Sequence, residues 1–96
     1  MAKTAKPLAI EGEMTIYRAA ELKTLMEPFF TPGGAKAPRA IDLSSVTEID
    51  CSGVQLLALA AREAQEAGRE LSLAAPSPAV TEVFTLLGLA PMLAAA

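Results

Sequence analysis

Ala40-Ile41-Asp42-Leu43-Ser44-Ser45-Val46-Thr47-Glu48-Ile49-Asp50-Cys51-Ser52-Gly53-Val54 decides the fold of this chain, because within it the side-chain pattern changes from that of a strand to that of a helix. Ala40 to Leu43 and Val46 to Ile49 alternate weakly between apolar and polar, and the intervening Ser44-Ser45 predicts a strand that turns or bulges. Small and polar residues then collect at Asp50-Cys51-Ser52-Gly53. From Gly53 to Ala67 the chain is rich in Ala, Leu, Gln, Glu and Arg, all good helix formers, and Gly68 stands where a helix C-terminal glycine belongs.

Working outward, Leu8-Ala9-Ile10 reads as an opening strand closed by a turn at Glu11-Gly12-Glu13. Ala19, Leu22, Leu25, Met26 and Phe29 recur at helical spacing after Ile16, with Thr15 available as a cap. Pro28 and then Thr31-Pro32-Gly33-Gly34 are expected to end that helix in an exposed loop reaching Pro38. Downstream, Glu70 to Ala74 alternates as a half-buried strand does, bounded by Ala75-Pro76. Ser77-Pro78 then opens a last helix, serine as cap and proline at the first position, with Val80, Val83, Phe84 and Leu87 as its apolar face and Gly88 as its stop. Strand and helix thus alternate three times. This order predicts an α/β fold in which a small, mostly parallel mixed sheet is flanked by helices, as one domain over 1–96 with a core spanning about 8–93.

The chain has 96 residues, enough for one modest core, and its 52% apolar and 20% charged composition excludes disorder. Net charge is -3 with no Lys/Arg block, which argues against nucleic acid and anionic membrane surfaces as partners. Cys51 is the only cysteine and histidine is absent, so neither an intramolecular disulfide nor a transition-metal set is expected. No run is long enough for a signal peptide or a membrane span, so cytoplasmic residence without membrane insertion is expected, and Ala94 to Ala96 reads as a frayed end. Asp42, Glu48 and Asp50 lack the base and nucleophile of a hydrolase, and Gly33-Gly34 lacks the lysine of a phosphate loop, so no cofactor and no catalysis are expected.

Ser52 is the candidate of greatest chemical interest. Ser52 and Gln55 have capping-box spacing, and a cap of that kind contributes about 0.5–2 kcal/mol. A helix start also carries unpaired N–H groups and partial positive charge, which favour a phosphate there. Gaining about -1.5 to -2 of charge next to Asp50 would make a neutral surface repel an acidic partner. A helical projection puts Val54, Leu57, Ala58, Ala61 and Ala64 on one face and leaves Leu56, Leu59 and Ala60 elsewhere, so two leucines beside Ser52 are either covered by the fold or open to a partner.

The stretch Ile41 to Val54 closely resembles the signature of the STAS family, an aliphatic strand ending in Asp-Leu followed by Asp-Ser-Ser-Gly-Leu at a helix start. Glu13-Met14-Thr15-Ile16-Tyr17-Arg18-Ala19-Ala20-Glu21-Leu22 resembles that family's approach to its first helix, and Pro76-Ser77-Pro78-Ala79-Val80 with Leu87-Gly88-Leu89 its last. Within the family the chain resembles the bacterial anti-sigma-factor antagonists. That resemblance implies a non-enzymatic switch in which an anti-sigma factor or related serine kinase phosphorylates Ser52 and a phosphatase restores it, with Asp50, Cys51, Gly53 and Leu56 flanking the site and meeting the partner. Cys51 stands where many relatives have serine or threonine. Thr15 and Arg18 depart from the pattern, and Met14-Thr15-Ile16-Tyr17 looks more like the STAS proteins that accompany chemotaxis or two-component systems. The alternative is a constitutive subunit, similar to the STAS component of lipid-transport ABC complexes.

Overall fold

Strand β2 (Ala40–Ile49) runs between β1 (Leu8–Met14) and β3 (Ser72–Ala74) in the computed structural model, which describes residues 6–30 and 37–93. Both pairings are parallel, so the described strands form a parallel sheet of order β1-β2-β3. Parallel neighbours need crossovers. The first crossover carries a 3-10 turn (Ile16–Arg18), α1 (Ala19–Leu25) and α2 (Glu27–Phe30), and the second carries α3 (Cys51–Glu66). Helix α4 (Pro78–Leu86) follows β3 and packs on β2, and a closing 3-10 turn (Ala90–Met92) brings Leu93 beside Leu73. The α/β layering expected from the sequence is the observed one. Residues Met1 to Ala5, Thr31-Pro32-Gly33-Gly34 with the rest of 31–36, and Ala94 to Ala96 lie outside the described residues.

The apolar residues of β2 are spaced unlike those of an ordinary strand. Ile41, Leu43, Val46 and Ile49 are all buried, yet they are separated by two, three and three residues, whereas side chains of a regular strand return to one face every second residue. The sheet accommodates the mismatch with two bulges. Opposite β1, the register steps from Ala9↔Asp42 to Glu11↔Ser45 and from Gly12↔Val46 to Glu13↔Glu48, so β2 carries one extra residue at each step. Ser44-Ser45 is the first of these places, and the Ser44 N–H is held by the Asp42 carboxylate at 2.9 Å. What the sequence predicts as a turn or bulge is therefore a bulge inside one unbroken strand.

The helices follow from local chemistry with some departures. The first predicted helix is broken in two at Met26, whose backbone leaves the helical region. Proline lacks an N–H for the carbonyl four residues back, so Pro28 breaks the first helix before it is reached and then sits in the opening turn of α2, where that N–H is not needed. Leu22, Met26 and Phe29 are nonetheless fully buried, because the break keeps one apolar face on the core. Ser77 caps α4 as expected, its Oγ accepting from the Val80 N–H at 3.3 Å, and Val80 and Phe84 are buried while Leu87 is exposed. Strand β3 is shorter than predicted and omits Glu70 and Leu71.

In α3 the buried face is Gly53, Val54, Leu57, Ala60 and Ala64. Ala60 thus replaces Ala58 and Ala61 of the projection. The reason is Gly53, whose lack of a side chain lets the helix press against Met14 and Ile49 and so fixes its rotation. Full burial of a residue such as Leu57 contributes roughly 1.5–3 kcal/mol. The exposed Arg62–Glu66 pair at 3.1 Å contributes far less, so packing holds α3 in place.

Candidate functional site

The site forms where β1 and β2 end side by side and α3 begins. Asp50 leaves β2 with its N–H bonded to the Met14 carbonyl at 3.1 Å, which ties the two strand ends together. Its carboxylate then takes three donors. Oδ1 accepts from the N–H groups of Ser52 at 2.9 Å and Gly53 at 3.2 Å, and Oδ2 accepts from the Ile16 N–H at 3.0 Å. Asp50 is therefore the N-cap of α3 and also the anchor of the 3-10 turn beyond β1. These bonds favour the charged form, so Asp50 titrates below the usual carboxylate range, the Ile16 N–H being the largest cause.

This geometry corrects the capping-box reading of Ser52. The helix already starts at Cys51, one residue before Ser52, and the cap is the aspartate. Ser52 Oγ is accordingly free of capping and makes no hydrogen bond to any described residue. Ser52 is half-buried, Cys51 is exposed, Gly53 is buried, and Leu56 is half-buried against the core. A second correction follows. Two N–H groups of the first turn, which the sequence reading offered to a phosphate, are already engaged by Asp50, so a phosphate on Ser52 meets a carboxylate as well as the helix start.

Gly53 lets the elements meet. A Cβ built there would lie 2.4 Å from the Met14 carbonyl oxygen and 2.8 Å from both Met14 Cβ and Ile49 Cγ1. On the other side of the turn, Arg18 Nη1 donates to the Glu11 and Glu13 carbonyls, each at 2.7 Å, while Nη2 pairs with Glu21 Oε2 at 3.0 Å. Asp50 holds the start of the turn and Arg18 its end. Between them Ile16 and Tyr17 stand 61% and 90% exposed, and Leu59 of α3 is 44% exposed. One of the two leucines left open by the sequence is therefore packed, Leu56, and the other, Leu59, is presented. The exposure of Ile16 and Tyr17 was not read from the sequence, because two apolar residues before a helix look like part of its buried face.

Among the described residues no three metal-binding side chains cluster, and no helix is long and apolar enough to cross a membrane. The family model described as "Mlab, STAS domain" matches residues 1–94. The chain belongs to the STAS family. Solved STAS-like folds agree. A provisionally assigned anti-sigma factor antagonist from Thermotoga maritima superposes with a TM-score of 0.72 at 21% identity, covering 95% of this chain and 80% of its own. The unphosphorylated form of the anti-sigma factor antagonist SpoIIAA gives 0.63 at 23% identity, covering 98% and 84%. No curated protein matches the chain.

Proposed function

We propose that this STAS domain is a non-enzymatic regulator of the anti-sigma-factor-antagonist type, which binds a partner kinase and is released when Ser52 is phosphorylated. The observation that carries this reading is the division of labour at the start of α3. Asp50 caps the helix, so the hydroxyl of Ser52 takes no part in capping and is bonded to no described residue, which leaves it to serve as a phosphate acceptor. A phosphate there adds charge of about -1.5 to -2 within two residues of Asp50, making a helix start that already carries one carboxylate strongly anionic. An apolar or acidic partner surface then loses its fit.

Incubation with anti-sigma-type serine kinases and ATP, followed by mass spectrometry, tests the reading. The wild type gains one phosphate and Ser52→Ala gains none, while Ser52→Asp no longer binds the kinase. A wild type that binds such a kinase and remains unmodified refutes the switch. The exposed Leu59 on α3 supports a second reading, a constitutive subunit docked through that helix on a larger complex. A stable complex indifferent to Ser52→Asp selects it.

A further inference from the structure

β1 is an outermost strand of the described sheet, and an outer strand offers a row of N–H and C=O groups to any further strand that approaches. The direction of its carbonyls can be read from the bonds. Met14 C=O points toward β2, where it accepts the Asp50 N–H. Carbonyls alternate along an extended strand, so that of Glu13, one residue earlier, faces the open side. Glu11 C=O shares a donor with it, since Arg18 Nη1 lies 2.7 Å from both oxygens. The guanidinium thus sits on the edge of β1 that no other described strand pairs with, and it occupies two of the groups a new strand would use. Gly12, between them, has φ of +83°, and a Cβ there would be 3.1 Å from Arg18 Nη1, so the chain is bent around the side chain that closes it. Glu21 holds the guanidinium from the far side through Nε at 3.4 Å and Nη2 at 3.0 Å.

We propose that Arg18 locks the outer edge of β1 against pairing with a further strand, in particular β1 of a second copy of this chain. The lock works together with Glu11 and Glu13, whose like charges would oppose each other across such a pairing. Their contribution must be removed for the lock to be seen alone.

The test therefore uses Glu11→Gln/Glu13→Gln as background and sedimentation velocity as readout. That double variant keeps the wild-type mass distribution. Adding Arg18→Met, which retains the apolar stem and deletes every donor, raises the weight-average mass about twofold, as edge pairing of two copies requires. Adding Ala9→Pro to the triple variant, which removes an N–H from the same edge, restores the wild-type distribution. The proposal is overturned if the folded triple variant sediments like wild type, or if proline fails to reverse its association. Should Arg18→Met lack a native circular dichroism spectrum, Arg18→Gln in the same background decides: its shorter amide does not span both carbonyls, so a rise in mass is expected there too, and its absence overturns the proposal.

Discussion

Gly53→Ala is the substitution that most directly probes how the site is assembled. The new methyl carbon would stand 2.4 Å from the Met14 carbonyl oxygen, an atom fixed by the sheet and by its bond from Asp50, and 2.8 Å from Ile49 Cγ1. Overpacking of this kind costs about 1–3 kcal/mol. Displacing the carbonyl also weakens the Met14–Asp50 hydrogen bond, worth about 1 kcal/mol. Against this, alanine returns at most about 1 kcal/mol of helix preference. The clash wins, and the net loss is about 2 kcal/mol. For a domain of this size each kcal/mol moves the melting temperature by about 4–8 °C, so a fall of about 8–16 °C is expected. Thermal melts and urea titrations measure it, with an unchanged urea slope showing that the folded state remains compact. In NMR spectra the Ile16 amide, bonded to Asp50, should shift with it. A melting temperature within about 2 °C of wild type would refute the close packing of β1, β2 and α3 argued above.

Two further predictions concern the same corner. Because Asp50 titrates below its ordinary range in the folded chain, its contribution to stability is complete above the unfolded carboxylate value of about 4 and is lost as pH falls through the depressed native value. Glu21 and Asp42 are lowered too, by Arg18 and by the Ser44 N–H respectively, and share that acid window. Subtracting the urea stability of Asp50→Asn from that of wild type across pH 2–6 isolates Asp50, and the difference should shrink as the medium turns acid; a pH-independent difference would count against the anchor. Thr15 Oγ1 is buried without a hydrogen-bond partner among the described residues, so Thr15→Val, which keeps the shape and removes the unpaired hydroxyl, should stabilise by about 1 kcal/mol. A clear fall in the urea midpoint would mean that the hydroxyl is bonded after all.

Much of the fold was legible because it rests on local signals. Ser77-Pro78 announced α4, Gly68 closed α3, and Ser44-Ser45 flagged an irregularity in β2. The resemblance around Asp50 to Gly53 supplied the family. What escaped depended on atoms far apart in sequence. Asp50 was passed over as the cap in favour of Ser52, since both are strong cap formers and only the helix start at Cys51 separates them. Its bond to Ile16, 34 residues away, left no local trace. The rotation of α3 was misjudged because a projection weighs side chains, whereas here a residue without one, Gly53, makes the closest contact. Arg18 stood out only as a departure from the family pattern; its grip on two backbone carbonyls leaves no periodic signal.

The paired bulges of β2 also set a rule for insertions and deletions. Each extra residue turns the following side chains over once, and two of them bring Ile49 back to the buried side, so Asp50 arrives where the Met14 carbonyl and the Ile16 amide can both meet it. Removing one residue between Leu43 and Ile49 would invert that parity, sending Ile49 to solvent and the aspartate inward. Removing one at each bulge would keep the phase and merely shorten the strand. Length variation among relatives in this stretch should therefore come in compensated pairs, while single-residue changes collect in the connections between elements.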